Sequence, residues 1–196
     1  MIRKARAIDK EAAAQLLYDA LHDIGYQLTG ATTKAGALAG LAEWFGKPGN
    51  RISYENTLVK ERDGQVVGLV VYYHGSKADE LDRPIVEQLR RMHQDQQLTL
   101  DKETDDDEWY IDTLSVTPAY QRLGYATELI KAVEDIASQR ALTSPVKVAL
   151  NVEAGNQGAF RLYERRGYAP DKEITINKNT YLHMSKFIPL PAKQPL

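Results

Sequence analysis

One stretch constrains this chain more than any other: Asp112-Thr113-Leu114-Ser115-Val116-Thr117-Pro118-Ala119-Tyr120-Gln121-Arg122-Leu123-Gly124-Tyr125-Ala126, with the amphipathic run that follows it to about Gln139. Its first part is rich in β-branched residues, Pro118 marks a turn, and apolar residues then recur as Leu129, Ile130, Val133, Ile136 and Ala137. That pattern reads as strand, loop, helix. The amides that open such a helix have no carbonyl partners within it, and the macrodipole places partial positive charge on them. Gly124 and the small Ala126 let the backbone come close to a ligand, and Arg122 adds a cation, so a pyrophosphate is the natural guest. The spacing is neither the dinucleotide G-x-G-x-x-G nor a triphosphate loop ending in GK[ST].

Gln121-x-x-Gly124-x-Ala126, placed after Leu114-Ser115-Val116-x-Pro118, resembles the acetyl-CoA loop of the GNAT superfamily of N-acetyltransferases, whose pattern is Arg/Gln-x-x-Gly-x-Gly/Ala. Downstream, Asn156-x-x-Ala159-Phe160-x-Leu162-Tyr163-x-x-x-Gly167-Tyr168 resembles the second block of the same family, in the expected order. The resemblance spans roughly residues 109–168. It implies an α/β (α+β) fold with a mixed, largely antiparallel sheet, flanked by helices, whose fourth and fifth strands (109–116 and 146–152) splay apart. It also implies acetyl-CoA as co-substrate and a primary amine as acceptor, acetylated by direct attack.

Site residues follow from the same resemblance. The pantetheine arm of CoA is expected to pair with the main chain at Leu114, Ser115 and Val116. Amides of Gln121, Arg122, Leu123, Gly124, Tyr125, Ala126 and Thr127 are expected to hold the pyrophosphate. Asn156 caps a short helix, contacts CoA, or does both. Tyr163 stands where many members keep a tyrosine that protonates or hydrogen-bonds the CoA sulfur. A phenol near 10 and a thiol near 8.5 make complete transfer uphill by roughly 2 kcal/mol, so hydrogen bonding to a developing thiolate is at least as plausible. For the base, Glu108 and Asp112 come first, because family members often hold a carboxylate on this strand. Some relatives instead have a glutamate where this chain has Asn151, with Glu153 two residues further along as a reserve.

Composition narrows the alternatives. The 25 basic and 27 acidic residues leave a formal charge of -2, without the basic surplus that nucleic-acid binding favours. With no cysteine there is no disulfide, thiolate nucleophile or Cys-based metal site, which suits a reducing cytoplasm. His22, His74, His93 and His183 form no HxxxH or HExxH pattern, and no metal is expected. His183 alone is weighed for the acceptor cleft. No stretch approaches the roughly 20 apolar residues that cross a bilayer. A chain of 196 residues fits one domain, expected over 1–188, with a helical and acidic insertion at about 76–108 and a loosely held, Pro-containing tail at 189–196.

Along the chain, a first strand is expected over 2–8, with Asp9 capping a helix whose face carries Ala13, Leu16, Leu17, Ala20, Leu21 and Ile24. A second helix is expected over 33–45, and residues 26–33 between them form either a specificity loop or a plain connector. Strands over 54–61 and 66–73 flank the turn Arg62-Asp63-Gly64-Gln65, and Asp-Gly favours a hairpin. Leu81, Ile85, Leu89 and Met92 are spaced for a helix that begins near Asp82 and Pro84. The run Asp101-Lys102-Glu103-Thr104-Asp105-Asp106-Asp107-Glu108 is either a solvated loop or an electrostatic lure for a cationic amine. A final hairpin over 173–188 turns near Asn177-Lys178-Asn179. The expected function is an acetyl-CoA-dependent N-acetyltransferase, with a homodimer through the sheet edge or C-terminal strands suggested by the family. The rival is a non-catalytic acyl-CoA sensor, or an acyltransferase acting on a protein lysine or N-terminus.

Overall fold

The computed structural model describes residues 1–141 and 143–190; residues 191–196 of the expected tail lie outside them. In chain order the elements are β1 (Ile2–Lys4), α1 (Lys10–Leu21), α2 (Asp23–Thr29), α3 (Lys34–Gly46), β2 (Thr57–Arg62), β3 (Gln65–His74), α4 (Ala78–His93) and β4 (Glu108–Val116). They continue as α5 (Tyr125–Gln139), β5 (Val146–Glu153), α6 (Gln157–Arg165), β6 (Ala169–Ile176) and β7 (Asn179–Ile188). The strands form one sheet in the order β1-β2-β3-β4-β5-β7-β6. Every neighbouring pair is antiparallel except β4 and β5, which run parallel.

That one parallel pair makes the opening the fold is organised around. Its register holds only from Glu108 opposite Lys147 to Ile111 opposite Leu150. Beyond that point β4 stays on β3, through Val116 opposite Gly68, while β5 stays on β7, through Glu153 opposite Tyr181. The two central strands therefore diverge, as the family pattern implied, and the facing backbone edges of 112–116 and 151–153 are left without each other.

Strand alternation sends successive side chains to opposite faces. Leu69 and Val71 pack with Leu17, Leu41 and Phe45 beneath α1 and α3, while Val70, Ile111 and Leu150 pack with Leu129, Ile130 and Val133 of α5. Each such buried aliphatic side chain contributes about 1.5–3 kcal/mol. Asp63 and Gly64 take φ of 51° and 75°, the pair of positive values that the two-residue turn between β2 and β3 requires. Thr33 caps α3 by accepting from the Gly36 amide at 3.1 Å.

Several boundaries differ from expectation. The span 26–33 is not one loop, because α2 occupies it up to Thr29 and ends at Gly30 with φ of 68°. A helix this short, with Gly25 inside it, leaves little periodicity to read. β1 is only Ile2–Lys4, followed by a 3-10 turn in which Asp9 accepts from the Arg6 amide at 2.8 Å and from both terminal nitrogens of Arg3. Pro84 lies inside α4, which begins at Ala78, and Met92 is 50% exposed while Ile85 and Leu89 are buried. β6 begins at Ala169, because its exposed polar residues pair on the sheet edge without an apolar signature. Among the described residues no helix is long and apolar enough to cross a membrane.

Candidate active site

After β4 the chain makes a 3-10 turn at Pro118–Tyr120 and reaches α5 through Arg122 at φ 63° and Gly124 at φ 83°. Gly124 ends this loop as the residue before the helix, and its carbonyl accepts from the Glu128 amide at 3.0 Å. The amides of Tyr125, Ala126 and Thr127 open the helix with no carbonyl behind them and no side-chain cap. The Gln121 amide, expected among the anion donors, instead bonds the Pro118 carbonyl at 3.3 Å, while its side chain ties the loop to the Val116 carbonyl at 3.0 Å. Among the described residues, a Cβ on Gly124 would meet no atom within 4 Å beyond its chain neighbours. Packing does not ask for glycine here; the positive φ does, and so does any ligand seated over the amides. The residues present fit a diphosphate.

The gap between the diverged strands holds a cavity of about 340 Å³, lined from β4 by 110–116, from β5 by 150–153, and by Gln121, Asn156 and Tyr163. Leu114, Ser115 and Val116 therefore line the expected pantetheine path, although the Val116 carbonyl is already taken by Gln121. Asn156 caps α6, its Oδ1 accepting from the Ala159 amide at 3.1 Å. Tyr163 comes from α6 and is 8% exposed. Burial alone pushes its phenol up to about 12. Against an ordinary thiol near 8.5, complete proton transfer is then uphill by about 5 kcal/mol. Tyr163 is suited to hydrogen-bond a thiolate rather than to surrender its proton to one.

At the other end of the cavity the charges are buried. The Asp112 side chain is 1% exposed, and its Oδ2 accepts from Arg51 Nε at 2.9 Å, Arg51 Nη2 at 2.6 Å and the Tyr73 hydroxyl at 2.7 Å. Thr113 donates to its other oxygen at 2.7 Å. With those donors in place both Asp112 oxygens are occupied, and Asp112 holds Arg51. Arg51, itself 3% exposed, also lies 2.8 Å from Glu103 and 3.5 Å from Asp82. Burial raises the Glu103 and Asp82 carboxyls above their ordinary range, and Arg51 only partly opposes it. Glu103 Oε2 accepts from the Tyr110 hydroxyl at 3.0 Å, and Asn151 Nδ2 donates at 2.8 Å to both the Tyr110 hydroxyl and the Glu103 carbonyl.

Glu108 stands apart from the cavity. Its side chain is fully buried, yet His183, Lys147, the Asp105 amide and Thr104 all bond it. Burial works against its charge, but these partners outweigh burial and hold its carboxyl down at about 2. So strongly stabilised a carboxylate is a poor proton acceptor. His183 is buried between Glu108 at 3.0 Å and Asp171 at 2.5 Å and does not line the cavity. Donor atoms of Asp105, Glu108 and His183 lie close enough together to hold an ion. The ammonium groups of Lys147, 2.9 Å from Glu108, and Lys172, 2.6 Å from Asp105, already supply the positive charge there.

A family model for the acetyltransferase (GNAT) family matches residues 20–168. The chain belongs to this GNAT family of acetyltransferases. Solved structures agree with the GNAT fold. An N-acetyltransferase from Staphylococcus aureus Mu50 is 26% identical over 95% of this chain and 100% of its own, with a TM-score of 0.80. A protein described only as an acetyltransferase is 28% identical over 96% and 99%, with a TM-score of 0.75. Arabidopsis thaliana NAA60, solved with a bisubstrate analogue, shares the fold at 18% identity and a TM-score of 0.54, over 96% of this chain and 98% of its own. No curated protein matches. As a GNAT member the chain is an acetyltransferase, from a family that generally uses acetyl-CoA.

Arg51, Tyr73, Glu103 and Tyr110 escaped sequence reading. Arg51 follows a plain Gly49-Asn50 turn, and Glu103 is one acid among several in 101–108. The available signals were the departure at Asn151, which marks a fifth-strand position doing something other than holding a carboxylate, and the acidic run 101–108, which contains Glu103 and was weighed as a lure for a cationic amine.

Proposed function

We propose that this GNAT enzyme transfers the acetyl group of acetyl-CoA to a primary amine by direct attack. One observation carries the reading: unpartnered amides at the start of α5 lie beside a cavity that runs between two diverged central strands and has Tyr163 on its wall. Acetyl-CoA, when bound, supplies the activated thioester. Arg122, Leu123, Gly124, Tyr125, Ala126 and Thr127 hold its diphosphate through backbone N–H groups and the helix dipole. The backbone of 114–116, freed from β5, aligns the pantetheine arm. Tyr163 donates a hydrogen bond toward the sulfur as negative charge develops there. Asp112 fixes Arg51, and Glu108 anchors His183 and Lys147 at the base of the paired segment. With no cysteine in the chain, an acyl-cysteine intermediate has no residue to form on.

The test is release of free CoA from acetyl-CoA by purified protein across polyamines, amino acids, aminoglycosides and peptide N-termini, alongside calorimetry of CoA binding. Binding with amine-dependent release is expected. Tight binding without release from any amine turns the protein into an acyl-CoA sensor, and absence of binding overturns the reading altogether.

A further inference from the structure

We propose that the acceptor is an aliphatic di- or polyamine, its reacting ammonium held at Glu103 beside Tyr110 and Asn151 and its second ammonium held at Glu153. This rests on the acetyl-transfer reading above and names the substrate class of that same site.

The cavity wall carries the carboxylates of Asp19, Glu103, Asp112 and Glu153, and among the described residues neither a lysine nor an arginine lines it. An acceptor with its own carboxylate would find no cation to meet. Behind the wall, the guanidinium of Arg51 is shared among Asp82, Glu103 and Asp112. Three carboxylates thus surround one guanidinium, so the cluster holds more acidic groups than cations. Burial raises the Glu103 carboxyl above its ordinary range, and Arg51 only partly opposes it. An ammonium arriving there supplies the missing charge. Asn151 adds an independent sign: its Nδ2 is committed twice, but its buried Oδ1 has no donor among the described residues. A substrate N–H is the kind of group it lacks.

Glu153 lies two residues beyond Asn151 on the same face of β5, about 6.6 Å along the strand. It is exposed, and it also lines a smaller recess with His22, Asp23 and Tyr181. A few methylenes span that separation. The same two cavities are lined by the joint between α1 and α2, where His22 holds a φ of 47°. Asp19 and Asp23 flank that joint, so the entrance is acidic as well.

In this arrangement the substrate ammonium passes one proton to the Glu103 carboxylate. The neutral nitrogen attacks the thioester carbonyl carbon, a C–N bond forms, and the C–S bond breaks with its electron pair passing to sulfur beside Tyr163. The second nitrogen proton ends on that thiolate, giving free CoA thiol and the acetamide, and Glu103 returns its proton to solvent.

Putrescine, butylamine and γ-aminobutyrate share a four-carbon chain and differ only at the far end, so their kcat/KM values read the second site directly. With the full-length protein, putrescine is expected to exceed butylamine by about two- to fivefold, the size of one exposed ion pair, and γ-aminobutyrate to fall below both. Glu153→Gln, a substitution at an exposed position, should bring the putrescine-to-butylamine ratio close to one. Glu103→Gln should lower kcat/KM for both amines by about a hundredfold. The proposal is overturned if γ-aminobutyrate or a peptide N-terminus is acetylated as well as putrescine. It is equally overturned if Glu153→Gln leaves the ratio unchanged, or if CoA binds and none of these amines is acetylated. Turnover confined to other amines would sink this inference alone, whereas failure to bind CoA would sink the acetyl-transfer reading with it.

Discussion

Gly124→Ala separates what the backbone needs from what a ligand needs. At φ 83° an L residue is strained, which costs about 1–2 kcal/mol. Among the described residues the new Cβ meets no atom within 4 Å beyond its chain neighbours, so no packing penalty is added. For a chain of this size that predicts a fall in melting temperature of about 2–8 °C. CoA should suffer more than stability does. A methyl group over the amides of 122–127 displaces the diphosphate, and losing one charge-assisted hydrogen bond of about 1.5–3 kcal/mol weakens binding roughly 10- to 150-fold. Gly49→Ala is the matched control: φ there is 73°, a Cβ again meets nothing beyond its chain neighbours within 4 Å among the described residues, and the position follows α3, away from the proposed cofactor loop. Thermal melts and CoA calorimetry on both variants give the comparison. Equal melting losses with weakened binding only in Gly124→Ala are expected; equal CoA affinity in the two variants would refute the claim that this loop holds the diphosphate.

Tyr163→Phe should lower kcat at least tenfold, about 1.4 kcal/mol of barrier, while calorimetry shows CoA affinity within a factor of about two of the parent. Arg51→Leu leaves the buried carboxylates of Asp112 and Glu103 without their shared cation, and should cost about 3–5 kcal/mol in urea unfolding. Glu108 has its carboxyl held at about 2 against an ordinary 4.5. Its contribution of about 3 kcal/mol is therefore complete above pH ~4.5 and fades as pH falls toward 2. Glu108→Gln should accordingly destabilise by about 3 kcal/mol at pH 7 but only about half that at pH 3, measured by denaturant unfolding at each pH.

Much of the fold was legible because its signals are local. The run from Asp112 to Gln139, the Asp63-Gly64 turn and the alternation of β5 each announce an element within a dozen residues, and Gly124 and Tyr163 sit inside spaced motifs. What stayed hidden depends on partners far apart in sequence. Nothing near Arg51 says that it will meet Asp112, 61 residues away, or near Glu108 that His183 will cover it from 75 residues away. A carboxylate on the right strand could be named, but whether it ends as a free base or as a counter-ion is decided by burial and by those distant cations. The acidic run 101–108 likewise looks uniform, yet tertiary packing turns Glu103 toward the cavity and Asp105 toward Lys172.

Electron density for CoA bound to the protein is the most direct measure of the central claim. The diphosphate oxygens should lie within hydrogen-bonding distance of the amides of residues 122–127, with the sulfur beside the Tyr163 hydroxyl in the gap between β4 and β5. Coenzyme seated elsewhere, or a Tyr163 hydroxyl turned away from the sulfur, would contradict the account.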